Sequence, residues 1–105
     1  MSIIKTPWYI LHAPEIGMKF DEFYKMCNKE GVLDKKTKEL LMLAVASVCR
    51  CSECVEEHMN GALGAGATKG DITETLLVAA AETTKAQLVW TKQICGRYMG
   101  DNSHK

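Results

Sequence analysis

Three of the chain's five cysteines and a histidine fall in one short stretch, Cys49-Arg50-Cys51-Ser52-Glu53-Cys54-Val55-Glu56-Glu57-His58. On an α-helix each residue turns by ~100°. With Cys51 at zero, Cys54 falls near ~300° and His58 near ~340°, so these three share a face, whereas Cys49 falls near ~160° and points away. Two thiols and an imidazole on one face suit dithiol redox chemistry. The thiolate is the nucleophile, and a helix N-terminus or a nearby imidazolium lowers a cysteine pKa from about 8.5. If a helix begins near Ser52, the pair lies in its first turn, where free backbone N–H groups stabilise a thiolate. Helical neighbours at i and i+3 have Cβ atoms about 5–6 Å apart, and a disulfide wants about 3.5–4.5 Å. A Cys51–Cys54 bond is therefore expected to need local adjustment and to be readily reduced. His58, one turn beyond Cys54, is placed to move a proton near neutral pH.

The same cluster allows a second reading, a zinc-binding structural or interaction module using Cys49, Cys51, Cys54 and His58. The outward direction of Cys49 on a single helix counts against it. Cys49 is read as a packing residue, and Cys27 and Cys95, each on an apolar stripe, likewise.

The elements that must position this cluster read as helix after helix. Ile16, Phe20, Phe23, Tyr24 and Cys27 recur at three- and four-residue steps, which predicts one buried helical face after Pro14, stopped by Gly31. Asp34 is an N-cap for a second helix with the stripe Leu40, Leu41, Ala44, Val45 and Val48. Ser52 is read as the cap of a third helix, which Gly64 and Gly66 end. Thr68 opens a fourth, with Asp71 completing a capping-box-like arrangement. Thr83-Thr84 is read as a break, Thr84 capping a last helix lined by Leu88, Val89, Trp90, Ile94 and Tyr98. Lys35, Lys36 and Lys38 are read as a solvated run, and Gly61 and Gly64 as sites of close helix contact. No segment alternates like a strand. The expectation is an all-α, single-domain bundle of about five helices over residues 1–105, with an N-terminal extension over 1–14 and a frayed tail over 100–105.

Composition narrows the function classes. The 105 residues make one domain, 47% of them apolar, with 13 basic and 13 acidic side chains. A net charge of 13 − 13 = 0 lacks the clustered positive charge that nucleic acid requires and gives no reason to expect electrostatic membrane binding. The first nine residues lack the apolar run of a secretory signal. The longest apolar run, Leu40 to Ala46, falls far short of the ~20 residues of a membrane span. A soluble, cytoplasmic protein is expected. In a reducing compartment clustered cysteines point to metal binding or redox catalysis rather than a disulfide scaffold.

The pattern Glu39, eleven residues, Cys51-Ser52-Glu53-Cys54, three residues, His58 resembles the carboxymuconolactone decarboxylase superfamily, specifically its alkylhydroperoxidase-D-like branch. The resemblance runs from about Leu33 to Tyr98 and includes the Asp34-to-Leu40 segment, the Gly64-Ala65-Gly66-Ala67-Thr68 turn and Ile72. It implies an all-helical fold assembling as trimers or hexamers. It also implies a cysteine pair that reduces a peroxide or another disulfide, re-reduced by a small-molecule or protein dithiol, with no bound organic cofactor. By position, Cys54 is the peroxide-attacking thiol, Cys51 resolves it, and Glu39 and His58 relay protons. The chain departs from well-known members in carrying Glu53 between the cysteines, where a carboxylate raises a thiol pKa, and Glu82-Thr83-Thr84-Lys85-Ala86 where a glycine- and proline-rich break is common. The founding branch's decarboxylase chemistry is a third reading, against which the paired cysteines argue. Glu39 poses a geometric condition: at ~1.5 Å per residue, one straight helix would set it ~18 Å from Cys51. Its role requires a chain break near Cys49 to Ser52 or an approach by tertiary packing. Five amphipathic helices sharing one modest core, with Val89 and Trp90 flanking the last stripe, predict a homo-oligomer.

Overall fold

A computed structural model describes residues 6–100. Five helices follow in order: α1 Trp8–His12, α2 Pro14–Asn28, α3 Lys35–Val48, α4 Ser52–Gly64 and α5 Lys69–Met99. No strand occurs among the described residues, and no helix among them is long and apolar enough to cross a membrane. The all-helical expectation holds, but the five helices are not the five read from the sequence.

Two boundaries match their chemistry. The Asp34 side chain accepts from Thr37 N and starts α3. Thr68 and Asp71 exchange side-chain and backbone hydrogen bonds in a complete capping box that starts α5. Two expectations are corrected, and one segment gains an element. The extension over 1–14 contains the short helix α1, which rests on α2 where Gly17 leaves room; a Cβ there would lie 2.9 Å from Ile10 Cα. Residues 1–5 of that extension, and 101–105 of the expected tail, lie outside the described residues. The cap of α4 is Cys51 rather than Ser52, its sulfur accepting from Cys54 N. Most consequentially, α5 runs 31 residues without a break at Thr83-Thr84. The Thr83 hydroxyl donates to Ala79 O at 2.7 Å, back-bonding to the preceding turn instead of capping a new helix. The surrounding alanines favour continuation.

The core lies where α3, α4 and the start of α5 meet. Leu43, Ala62, Ala67 and Ile72 are buried, with Leu40, Val55, Met59 and Leu76 packed against them. The stripe expected to bury α2 does not do so: Ile16, Phe20 and Phe23 are exposed, and Phe20 meets Tyr9 edgewise, their ring centres 5.6 Å apart, and Tyr24 at 6.3 Å. The packing roles assigned to Cys27, Cys49 and Cys95 also fail, since all three are exposed. Cys27 lies near the end of α2, Cys49 in the turn after α3, and Cys95 on the far half of α5.

Candidate redox site

The turn between α3 and α4 builds the site. Cys51 N donates to Ala46 O at 3.1 Å and Arg50 N to Ser47 O at 3.2 Å, with Arg50 left-handed at φ 59°. These are the paired bonds of a Schellman helix end. Cys51 thus ends the Schellman turn of α3 and caps α4 at once. It is bonded to Cys54, with Cα atoms 5.2 Å apart, inside the range that disulfides occupy. The pair sits in the first turn of α4, as the spacing predicted, but with Cys51 extended at φ −99° and ψ 97° rather than helical.

The same turn removes the ~18 Å separation that a straight helix would impose on Glu39. α4 packs on α3, and Glu39 Oε1 meets His58 Nδ1 at 2.8 Å. Both residues are buried, at 6% and 5% exposure. Lys35 Nζ lies 2.8 Å from Glu39 Oε2, and Asn28 Nδ2 donates to the same oxygen at 3.2 Å. Lys35 is in turn held by Asn28, through its backbone carbonyl at 3.0 Å and its side-chain oxygen. Burial pushes the Glu39 carboxyl up, but the hydrogen bonds from Lys35, His58 and Asn28 outweigh it and hold the group below its ordinary range. Glu39 is therefore ionised at neutral pH, and His58 Nδ1 carries the proton it donates. Helix α4 admits the carboxylate at Gly61, where a Cβ would stand 2.5–2.8 Å from its carbon and oxygens.

His58 Nε2 is engaged as well, 2.9 Å from the Tyr24 hydroxyl on α2. Tyr24, Val45, Cys49, Cys51, Cys54 and His58 border one open, apolar concavity of about 350 Å³. All four residues singled out from the sequence, Glu39, Cys51, Cys54 and His58, thus come together: His58 touches Glu39 and borders the concavity with both cysteines. Sequence reasoning missed Tyr24, Asn28 and Lys35. The spacing of Lys35 and Glu39, i and i+4 on one helix, was a readable ion-pair signal. Lys36, 3.5 Å from Asp71, and Lys38, donating to Lys29 O at 2.6 Å, also depart from the solvated run expected. Nothing in spacing ties Tyr24 to a histidine 34 residues away.

Among the described residues no group of three or more His, Cys, Asp or Glu side chains is placed to hold a metal ion. Both nitrogens of His58 face Glu39 and Tyr24, which counts against the zinc module.

The arrangement has relatives. Over 84 residues, 76% of each chain, the sequence is 41% identical to "Uncharacterized protein 4 in cox locus" of Paracoccus denitrificans. A crystal structure of a Methanobacterium thermoautotrophicum protein superposes with a TM-score of 0.75 at 29% identity, covering 82% of this chain and 97% of that one. The model of the carboxymuconolactone decarboxylase family matches residues 14–91, from the start of α2 through most of α5. On this match, which spans every residue of the site, the chain belongs to the carboxymuconolactone decarboxylase family.

Proposed function

We propose that the protein is a thiol–disulfide oxidoreductase of the alkylhydroperoxidase-D-like kind. In this reading Cys51 and Cys54 cycle between dithiol and disulfide, and Glu39 and His58 handle the protons. The observation that carries it is the joined Cys51–Cys54 pair at the first turn of α4, bordering the same concavity as a buried histidine that is held by an ionised carboxylate.

The reaction balances as follows. One cysteine thiolate attacks a sulfur of the substrate disulfide, whose S–S bond breaks and whose leaving thiolate takes a proton. The second cysteine attacks the mixed disulfide, forming the Cys51–Cys54 bond and releasing the second substrate thiol. A small-molecule or protein dithiol returns two electrons. With a peroxide, the O–O bond breaks, an alcohol leaves, and the second thiol displaces water from the sulfenic acid.

The two cysteines are not equivalent. Cys54 N donates to Cys51 Sγ at 3.2 Å. The two sulfurs therefore differ in position, Cys51 capping α4 and Cys54 lying one turn inside it, and the variants below decide which attacks. Turnover of an oxidised dithiol and of an alkyl hydroperoxide is to be measured for the wild type and for Cys51→Ser and Cys54→Ser, with sulfenic-acid trapping after one equivalent of peroxide. Loss of turnover in both variants supports the dithiol cycle, and the variant that traps a sulfenic acid identifies the attacking thiol. Wild-type turnover with neither acceptor would contradict the reading. Disulfide turnover without trapped sulfenic acid would leave a dithiol reductase that is not a peroxidase.

A further inference from the structure

His58 has no open ring nitrogen. Nδ1 faces Glu39 at 2.8 Å, and Nε2 faces the Tyr24 hydroxyl at 2.9 Å. The ring itself is buried. A proton entering or leaving Nε2 therefore passes through the Tyr24 oxygen. A phenolic hydroxyl can donate and accept at once, so Tyr24 Oη can donate to Nε2 while it accepts a proton from the concavity side. Tyr24 is only half-buried and borders the concavity that Cys51 and Cys54 also line.

We infer that Tyr24 couples His58 to the cysteine pair, its hydroxyl passing protons between Nε2 and the concavity. The inference rests on the dithiol reading above. In the step concerned, a cysteine S–H bond breaks and its proton goes to Tyr24 Oη. The proton already on Oη passes to His58 Nε2. The products are a thiolate, an unchanged tyrosine and an imidazolium facing the Glu39 carboxylate. The reverse transfer protonates the leaving group of the substrate. No electron moves in this step, so it needs no co-reactant.

The surroundings suit a hydroxyl that relays without ionising. Burial raises the Tyr24 pKa, and the carboxylates of Glu57 and Glu39, with Tyr9, raise it further. Lys35 bonds to the other oxygen of Glu39, away from the tyrosine. The helix that supplies Tyr24 reaches the site through polar contacts, Tyr24 to His58 and Asn28 to Glu39.

The test is the single-turnover rate of Cys51–Cys54 disulfide formation with an oxidised dithiol, followed against pH for the wild type, Tyr24→Phe and Tyr9→Phe. Tyr24→Phe keeps the ring and removes only the hydroxyl. Its rate is expected to fall at least ~10-fold and by no more than the ~10²–10⁴-fold that acid–base catalysis commonly contributes. Its pH profile should change, and added imidazole should restore part of the rate. Tyr9→Phe should behave as the wild type. A wild-type rate and profile in Tyr24→Phe would overturn the inference, as would a slow variant with an unchanged profile and no imidazole rescue. A second measurement needs no variant: the wild-type rate across mixtures of light and heavy water should curve, since two protons move together. A linear dependence contradicts the relay. A wild type that forms no reversible Cys51–Cys54 disulfide would instead remove the dithiol reading itself.

Discussion

Glu39 is the residue on which the site converges. It is buried, yet Lys35, Asn28 and His58 all bond to its two oxygens. A buried carboxylate is tolerated only when it is paired and hydrogen-bonded in this way. Glu39→Gln keeps the shape but removes the charge that holds Lys35 and orients His58. A loss of about 1–3 kcal/mol is expected, the range for disturbing a buried polar group, together with slower dithiol exchange; urea unfolding and turnover check both. Because folding lowers the Glu39 pKa from its ordinary 4.5, its contribution is fully present above that value and is lost as pH falls through the folded pKa. Wild-type stability should therefore drop below about pH 4.5, and Glu39→Gln should drop less. Gly61→Ala tests the same contact from the opposite helix. The added methyl would fall 2.5 Å from the Glu39 carboxyl carbon, and overpacking typically costs about 1–3 kcal/mol. Helix propensity returns up to ~1 kcal/mol, so net destabilisation and loss of exchange are expected by thermal melting and assay. The sequence showed the thiols, His58 and Glu39 because their spacing repeats a pattern. It hid Tyr24, whose partner lies on another helix, and concealed Lys35 within a run of lysines that looks solvated.

At the scale of elements, two turns of the same type do different work. α4 ends in a Schellman turn with Gly66 left-handed at φ 98°, Ala67 N donating to Ala62 O at 2.9 Å. α3 ends in the same turn with Arg50 at the glycine position. A side chain in that conformation costs roughly 1–2 kcal/mol, and the strain fixes Cys51 at the start of α4. Arg50→Gly is expected to stabilise the fold by about 1 kcal/mol, measured by urea denaturation, with the disulfide still able to form. Destabilisation would mean that the Arg50 side chain makes contacts worth more than the strain. Capping signals made the starts of α3 and α5 legible, since Asp34 and Thr68 act within a few residues of themselves. The continuity of α5 was not legible. A Thr-Thr pair serves equally as a cap or, back-bonded, as helix interior, and only the neighbouring turns decide. Likewise the stripe of α2 is helical in period, but periodicity does not say whether a partner within the chain covers it.

The molecule as a whole is extended. Its radius of gyration is 18.8 Å and its longest dimension 60 Å, whereas a compact domain of this length has a radius near ~13 Å. The second half of α5 causes much of this, with Leu88, Val89, Trp90 and Tyr98 all exposed. An apolar helix face without a partner among the described residues calls for one from another chain, and a second copy is the occupant we propose. Light scattering should give a homo-oligomer, trimer or hexamer by family resemblance. In a Trp8→Phe background, Trp90 emission should shift to the blue relative to a Val89→Asp variant that fails to assemble. A monomer mass at micromolar concentration would contradict this. Assembly would explain how so small a buried core, centred on Leu43, Ala62, Ala67 and Ile72 with partly covered neighbours, supports a stable fold, but redox chemistry remains the claim on which the functional reading stands. Mass spectrometry with cysteine mapping, on protein taken through oxidation by a disulfide and reduction by a dithiol, tests it most directly. The expected result is a Cys51–Cys54 bond that forms on oxidation and opens on reduction, while Cys27, Cys49 and Cys95 remain thiols. Recovering Cys51 and Cys54 as free thiols after oxidant treatment would contradict it.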